Sequence, residues 1–146
     1  MFDGQQIADP LIRRFFAYWQ SKRGDERFPA RRALDPIDFS YVLGDVTLVE
    51  ICGESKTYRY RVTGSNLVAR DGYETTGKTL EDIPDVEYRE RIRTTFDAVA
   101  TTGEPVHGLR DLLIDGRLRC YEVLVLPLAS NGCDIDMLIA VQRYLS

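Results

Sequence analysis

The sequence predicts an α+β domain: a five-stranded antiparallel sheet with helices on one face and an additional N-terminal helix. Three observations carry this expectation. Residues 57–63, TYRYRVT, alternate so that Tyr58, Tyr60 and Val62 share one face and Arg59, Arg61 and Thr63 the other, the period of a strand. Tyr88, Ile92, Phe96 and Val99 recur at spacings of four, four and three, which buries one side of a helix. Asp115-Gly116 between apolar runs is the strongest short hairpin signal in the chain. Two strands ahead of a helical insertion and three behind it close an antiparallel sheet.

In chain order, Asp9-Pro10 opens the first helix, with Asp as N-cap and Pro at the first helical position. That helix aligns Ile12, Phe15, Phe16 and Trp19 in one stripe and ends before Gly24. A charged loop leads to Leu34-Asp35-Pro36 and a short helix or turn bearing Ile37, Phe39, Tyr41 and Val42. The first strand is expected over residues 45–51, turning at Gly53-Glu54-Ser55 into the strand over 57–63. An irregular helical wall carries Leu67 and Val68, then Gly72 and Thr76-Gly77. Pro84 opens the long helix, and Thr102-Gly103-Glu104-Pro105 ends it. Strands are expected over 106–114, 118–128 and 134–144. Residues 1–33 form an N-terminal helix and basic loop, a cap or dimerisation element, and residues 34–146 the main domain.

At 146 residues the chain holds one domain with a buried core. Its net charge of −4 argues against a nucleic-acid binder, which needs a concentrated basic face. Arg13, Arg14, Lys22, Arg23, Arg27, Arg31 and Arg32 crowd the first quarter, either as a solvated face or as a contact for an acidic partner. Cys52, Cys120 and Cys133 form no CxxC pair and are odd in number, which fits a reducing compartment and small buried apolar side chains. MFDGQQIADP lacks the basic start and apolar run of a signal peptide, and no segment approaches membrane-spanning length. A soluble cytoplasmic protein is expected.

The strand RCYEVLVLPL is apolar on both faces, with Cys120, Leu124 and Leu126 opposite Tyr121, Val123 and Val125. One face lies under the helical wall. The other needs the Phe15, Phe16 and Trp19 stripe, from the same chain or from a second copy. Ile12, Phe15, Phe16 and Trp19 are therefore the candidate interface, and a homodimer through the N-terminal helix or the sheet is an expected assembly.

The candidate ligand-binding residues are Tyr60, Val62, Asn66, Tyr73, Tyr121 and Val123, with core packing and turn chemistry as the alternative role of each. Glu122, on the face of Cys120 and Leu124, is either paired with an arginine such as Arg59 or Arg61, or is an acid in a pocket. No nucleophile elbow, P-loop or HExxH motif is present, and His107 is the single histidine. Glu81, Asp82, Asp85 and Glu87 flank Pro84, where acids favour a helix N-terminus; a divalent cation is the sharper alternative.

The order strand-strand-helices-strand-strand-strand resembles the PAS domain superfamily. A subgroup of short stand-alone bacterial PAS-like proteins is similar in LIRRFFAYWQSKRG, DPIDF, YRYRVTGSNL, TGKTLEDI, GEPVHG and YEVLVLPLASNG, from Pro10 to Tyr144. The resemblance implies that residues 34–146 are a PAS-like sensor domain in bacterial signal transduction, without an attached kinase. It implies a non-enzymatic module that binds a small molecule, a protein partner or both. A small cup-shaped enzyme using Glu122 as general base and a ligand-free adaptor are the alternatives. Flavin-binding members carry a reactive Cys in a GxNCRFLQ-like helix, whereas GSNLVARDG has none. The cysteines also lie outside the wall where coumaric-acid receptors attach their chromophore. His107 lies at a strand start, not on the long helix that usually supplies a haem ligand. The cofactor is left unknown.

Overall fold

In the computed structural model, which describes residues 2–54, 57–114 and 116–145, the helix caps sit where short polar residues meet orphan amides. Asp9 caps α1 (Pro10–Lys22) by accepting from the Leu11 and Ile12 amides. Asp35 caps a 3₁₀ segment, Pro36–Asp45, that feeds the first strand. α2 (Ser65–Asp71) closes on left-handed Gly72, and a 3₁₀ turn at Leu80–Asp82 is held by a capping box between Thr79 and Asp82. The long helix α3 (Val86–Thr102) begins two residues later than Pro84 suggests, because Asp85 supplies the cap for the Tyr88 amide. It ends on left-handed Gly103, as expected.

The strands are β1 (Val46–Cys52), β2 (Thr57–Thr63), β3 (Val106–Ile114), β4 (Arg117–Leu128) and β5 (Met137–Tyr144). All neighbouring pairs are antiparallel, in the order β2-β1-β5-β4-β3. β5 starts later than expected because Asn131 accepts from the Cys133 and Asp134 amides and holds that stretch in a turn. The two hairpin turns are entered or left through Gly53 and Gly116, both at positive φ; their Ser55 and Asp115 positions lie outside the described residues.

One irregularity reorders a predicted face. β2 pairs Val62 with Leu48 but Tyr60 with Val49, so Arg61 is an extra residue, a β-bulge. A one-residue slip exchanges the faces of everything beyond it. Thr63 therefore turns inward opposite Thr47, and Val62 turns outward, 43% exposed.

The sheet separates two cores. On its inner face, Tyr121, Val123 and Val125 of β4 meet Tyr88, Ile92, Phe96 and Val99 of α3. On its outer face, Leu124, Leu126 and Leu128 meet Ile12, Phe15, Phe16 and Trp19 of α1 together with Phe39 and Val42. The expectation that β4 is covered on both sides holds. Of the two sources expected for the outer cover, the stripe of the same chain supplies it here: Ile12, Phe15, Phe16 and Trp19 are buried against their own sheet. Each such side chain contributes about 1.5–3 kcal/mol of burial. The indole Nε1 of Trp19 also donates to the Pro127 carbonyl at 3.0 Å. Backbone bonds from Phe28 to Gly132 and from Ala129 to Pro29 extend the seam. The three thiols are free; Cys133 is exposed in a loop and not the small buried group expected of it.

Candidate functional site

Where β1, β2, β4 and β5 present their inner residues to α2 and α3, packing leaves a cavity of about 50 Å³. A buried water needs roughly 10–15 Å³ by the same kind of measure, so the space suits a compact ligand or a few waters. It is far below the roughly 300–1,000 Å³ of drug-sized pockets, and a flavin or haem fits only if the wall moves.

The lining is rich in phenols: Tyr60, Tyr73, Tyr88 and Tyr121, interleaved with Thr47, Thr63 and Thr75. Thr63 and Thr75 share a 2.5 Å hydroxyl contact that ties β2 to the segment after α2. Tyr88 donates to Gln142 Oε1 at 3.3 Å, and Tyr144, behind it, donates to Asp71 at 3.0 Å. Burial pushes the phenols of Tyr60, Tyr88 and Tyr121 up, and the Asp71 carboxylate pushes each further in the same direction. These hydroxyls stay protonated at neutral pH and serve as donors. Tyr60 and Tyr121 are almost wholly buried, yet among the described residues neither hydroxyl has a hydrogen-bond partner. Both side chains lie on the cavity lining, so a ligand or ordered water in the cavity can take up these hydroxyls.

Of the six residues singled out in the sequence, Tyr60, Tyr73, Tyr121 and Val123 line this cavity. Val62 is removed from it by the Arg61 bulge. Asn66 is removed by its own hydrogen bond, donating Nδ2 to Asp45 Oδ1 at 3.1 Å on the side of the first strand. The sequence reading missed Arg91, Arg110 and Gln142, all on the lining. Strand alternation carried a signal for two of them. Arg110 pairs with Tyr121 and Gln142 with Val123, so both are polar residues on an apolar face.

Glu122 points to the other face. It is 1% exposed, and Oε2 accepts from the Ala8 amide at 2.8 Å and contacts His107 Nε2 at 2.6 Å. Oε1 accepts from the Asp9 amide at 2.9 Å. The expected arginine pair, Arg59 or Arg61, is replaced by two backbone amides and the single histidine, whose side chain is only 9% exposed. A carboxylate whose oxygens are so engaged, outside the cavity, is a clasp on the N-terminal segment. The network continues through Arg143, which binds Asp9 at 2.8 Å and Asp45 at 3.0 Å, and so reaches Asn66 on α2. Of the acidic run, Asp82 and Asp85 act as caps and Glu81 pairs with Arg93. Among the described residues no group of three or more His, Cys, Asp or Glu gathers as a metal site, and no helix is long and apolar enough to cross a membrane.

No curated protein matches the chain. Among solved structures it is similar to the PAS domain of Bordetella pertussis BvgS, with 20% identity and a TM-score of 0.57 over 77% of this chain and 88% of that one. A Rhodobacter sphaeroides LOV protein is similar at 11% identity and a TM-score of 0.52, over 69% and 59% of the two chains. A domain of an HTR-like protein from Haloarcula marismortui is similar at 15% identity and a TM-score of 0.50, over 69% and 96%. At these identities the likeness concerns the fold. The family model described as PAS domain matches residues 8–140, from the α1 cap into the last strand, and the chain belongs to the PAS domain family.

Proposed function

We propose that this PAS domain is a non-enzymatic sensory module of bacterial cytoplasmic signalling, in which a small molecule occupies the cavity under α2 and α3. The observation that carries this reading is the cavity itself, lined by Tyr60 and Tyr121, whose hydroxyls make no hydrogen bond to protein among the described residues. A general-base role for Glu122 loses its geometric basis, because its carboxylate is held by Ala8, Asp9 and His107 on the opposite face.

Native mass spectrometry of the purified protein tests the reading. An excess mass that disappears on denaturation, and is missing from an Ala140→Leu variant that fills the cavity, is the expected result. A bare chain mass, together with no small-molecule effect on melting temperature, contradicts it.

A second reading, docking of a second copy, has its own observation. Leu109, Leu113 and Leu118 are well exposed on the outer face of the β3–β4 hairpin, beyond the reach of α1, and β3 is an edge strand. An apolar patch on an unpaired edge suits a self-complementary contact. Sedimentation of the wild type and of Leu113→Glu checks it: a dimer that the substitution dissociates is expected, and a wild-type monomer at all concentrations removes the reading.

A further inference from the structure

We infer that the ligand of this cavity is a small carboxylate, its charged end held at the mouth between α3 and β3 by Arg91 and Arg110. This deepens the reading above and rests on it. Arg91, Thr95 and Arg110 line both the cavity and the shallow depression outside it, so the two guanidinium groups stand at the threshold.

On the same side of the sheet, Arg89 and Arg93 of α3 each have a carboxylate within ion-pair distance. Among the described residues, neither Arg91 nor Arg110 does. Arg110 gives one hydrogen bond, to the Leu109 carbonyl at 3.3 Å. A guanidinium carries five donors and no acceptor, in a fork that fits a carboxylate. The backbone makes room for this posture, since a methyl group on Gly108 would overlap the Arg110 guanidinium. Both arginines are within electrostatic reach of the Tyr121 hydroxyl, where they oppose the upward effect of burial.

Deeper in, Tyr60 and Tyr121 add two further donors. Asp71, the carboxylate on the cavity lining, accepts from Tyr144; Glu87, Glu90 and Asp111 line the outer depression only, where Glu90 pairs with Arg93 at 3.1 Å. The cavity lining itself thus carries two guanidinium groups against one carboxylate already engaged by Tyr144, and its complement is an acceptor-rich anion with a compact apolar body.

The test is calorimetric titration at constant ionic strength with two isosteric series: butyrate, butyramide and butylamine, then benzoate, benzamide and benzylamine. In at least one series the acid should bind about tenfold or more tightly than the amide, the value of charge-assisted hydrogen bonds. Arg91→Gln and Arg110→Gln should each remove that preference and leave amide binding within about twofold. Gly108→Ala should act like Arg110→Gln without changing the urea midpoint, since it displaces only the flexible end of a side chain. Equal binding of acid and amide in both series, or preference for the amine, overturns the inference while the cavity reading stands. No binding by any probe, with a bare native mass, overturns both.

Discussion

The two faces of the sheet are built from the same strands and do opposite things. On the outer face, leucines of β4 alternate into a layer of Phe15, Phe16, Trp19 and Phe39, and the polar groups at its rim are engaged one by one. On the inner face, tyrosines and threonines surround a cavity, and among the described residues the Tyr60 and Tyr121 hydroxyls make no hydrogen bond to protein. Close packing fills one face, and the other keeps polar groups around open space. The family's usual helical wall lies over the inner face, while the outer face gains its cover from the N-terminal segment. The fold is therefore braced on one side and hollow on the other.

The largest effect expected from breaking this contrast is on the outer side. Trp19→Ala should cost about 3–5 kcal/mol of unfolding free energy, read from urea denaturation, because it leaves a hole in a closed layer and strips the Pro127 carbonyl of its donor. Ligand affinity of the folded fraction should change little.

Next is the clasp. Glu122→Gln sets an amide group against the Ala8 and Asp9 amides and should cost about 1–3 kcal/mol. Hydrogen exchange should quicken at Ala8 and Asp9 before it quickens in α3. Unchanged stability would mean that the N-terminal segment is held by its apolar stripe alone.

A pH effect follows from Asp9. Burial raises its pKa, but the Arg143 guanidinium and the Leu11 and Ile12 amides outweigh burial and hold the carboxyl below its usual range. A carboxylate depressed in the folded state adds stability above the pKa of the unfolded chain and loses it as pH falls through the folded value. Stability should therefore decline from about pH 5 downward, and Arg143→Gln should flatten that decline. An unchanged acid limb in the variant would place the effect elsewhere.

The smallest effect is the most telling for the inner face. Tyr121→Phe removes a hydroxyl with no protein partner and should shift stability by less than about 0.5 kcal/mol. Tyr58→Phe, which removes a 2.5 Å donation to Asp97, should cost about 0.5–1.5 kcal/mol and serves as the satisfied control. Equal costs would mean that Tyr121 is satisfied within the protein.

Sequence periodicity was enough for the stripes of α1 and α3, the number and order of strands, and the double cover of β4, because each is a local pattern with a fixed period. The candidate site was legible only in part. Tyr60, Tyr73, Tyr121 and Val123 lie on the cavity, but the Arg61 bulge reversed Val62 and Thr63, and nothing in TYRYRVT marks where a register slips. Glu122 was conspicuous as a charge in an apolar strand. Its partners were not, because Ala8 and Asp9 are more than a hundred residues away and contribute backbone amides, which have no sequence signature. Arg91 reads as one polar helix residue among several, and its position at the cavity mouth depends on how α3 is laid across the sheet.

The central claim, a solid outer face and a cavity on the inner one, is tested most directly by adding one methylene to each. Val125 lines the cavity and Val141 is fully buried in the outer layer. Urea denaturation of Val125→Leu and Val141→Leu compares the two. The account predicts that Val141→Leu costs about 1–3 kcal/mol, as overpacking does, while Val125→Leu stays within about 0.5 kcal/mol of wild type. Equal penalties on the two faces would contradict it.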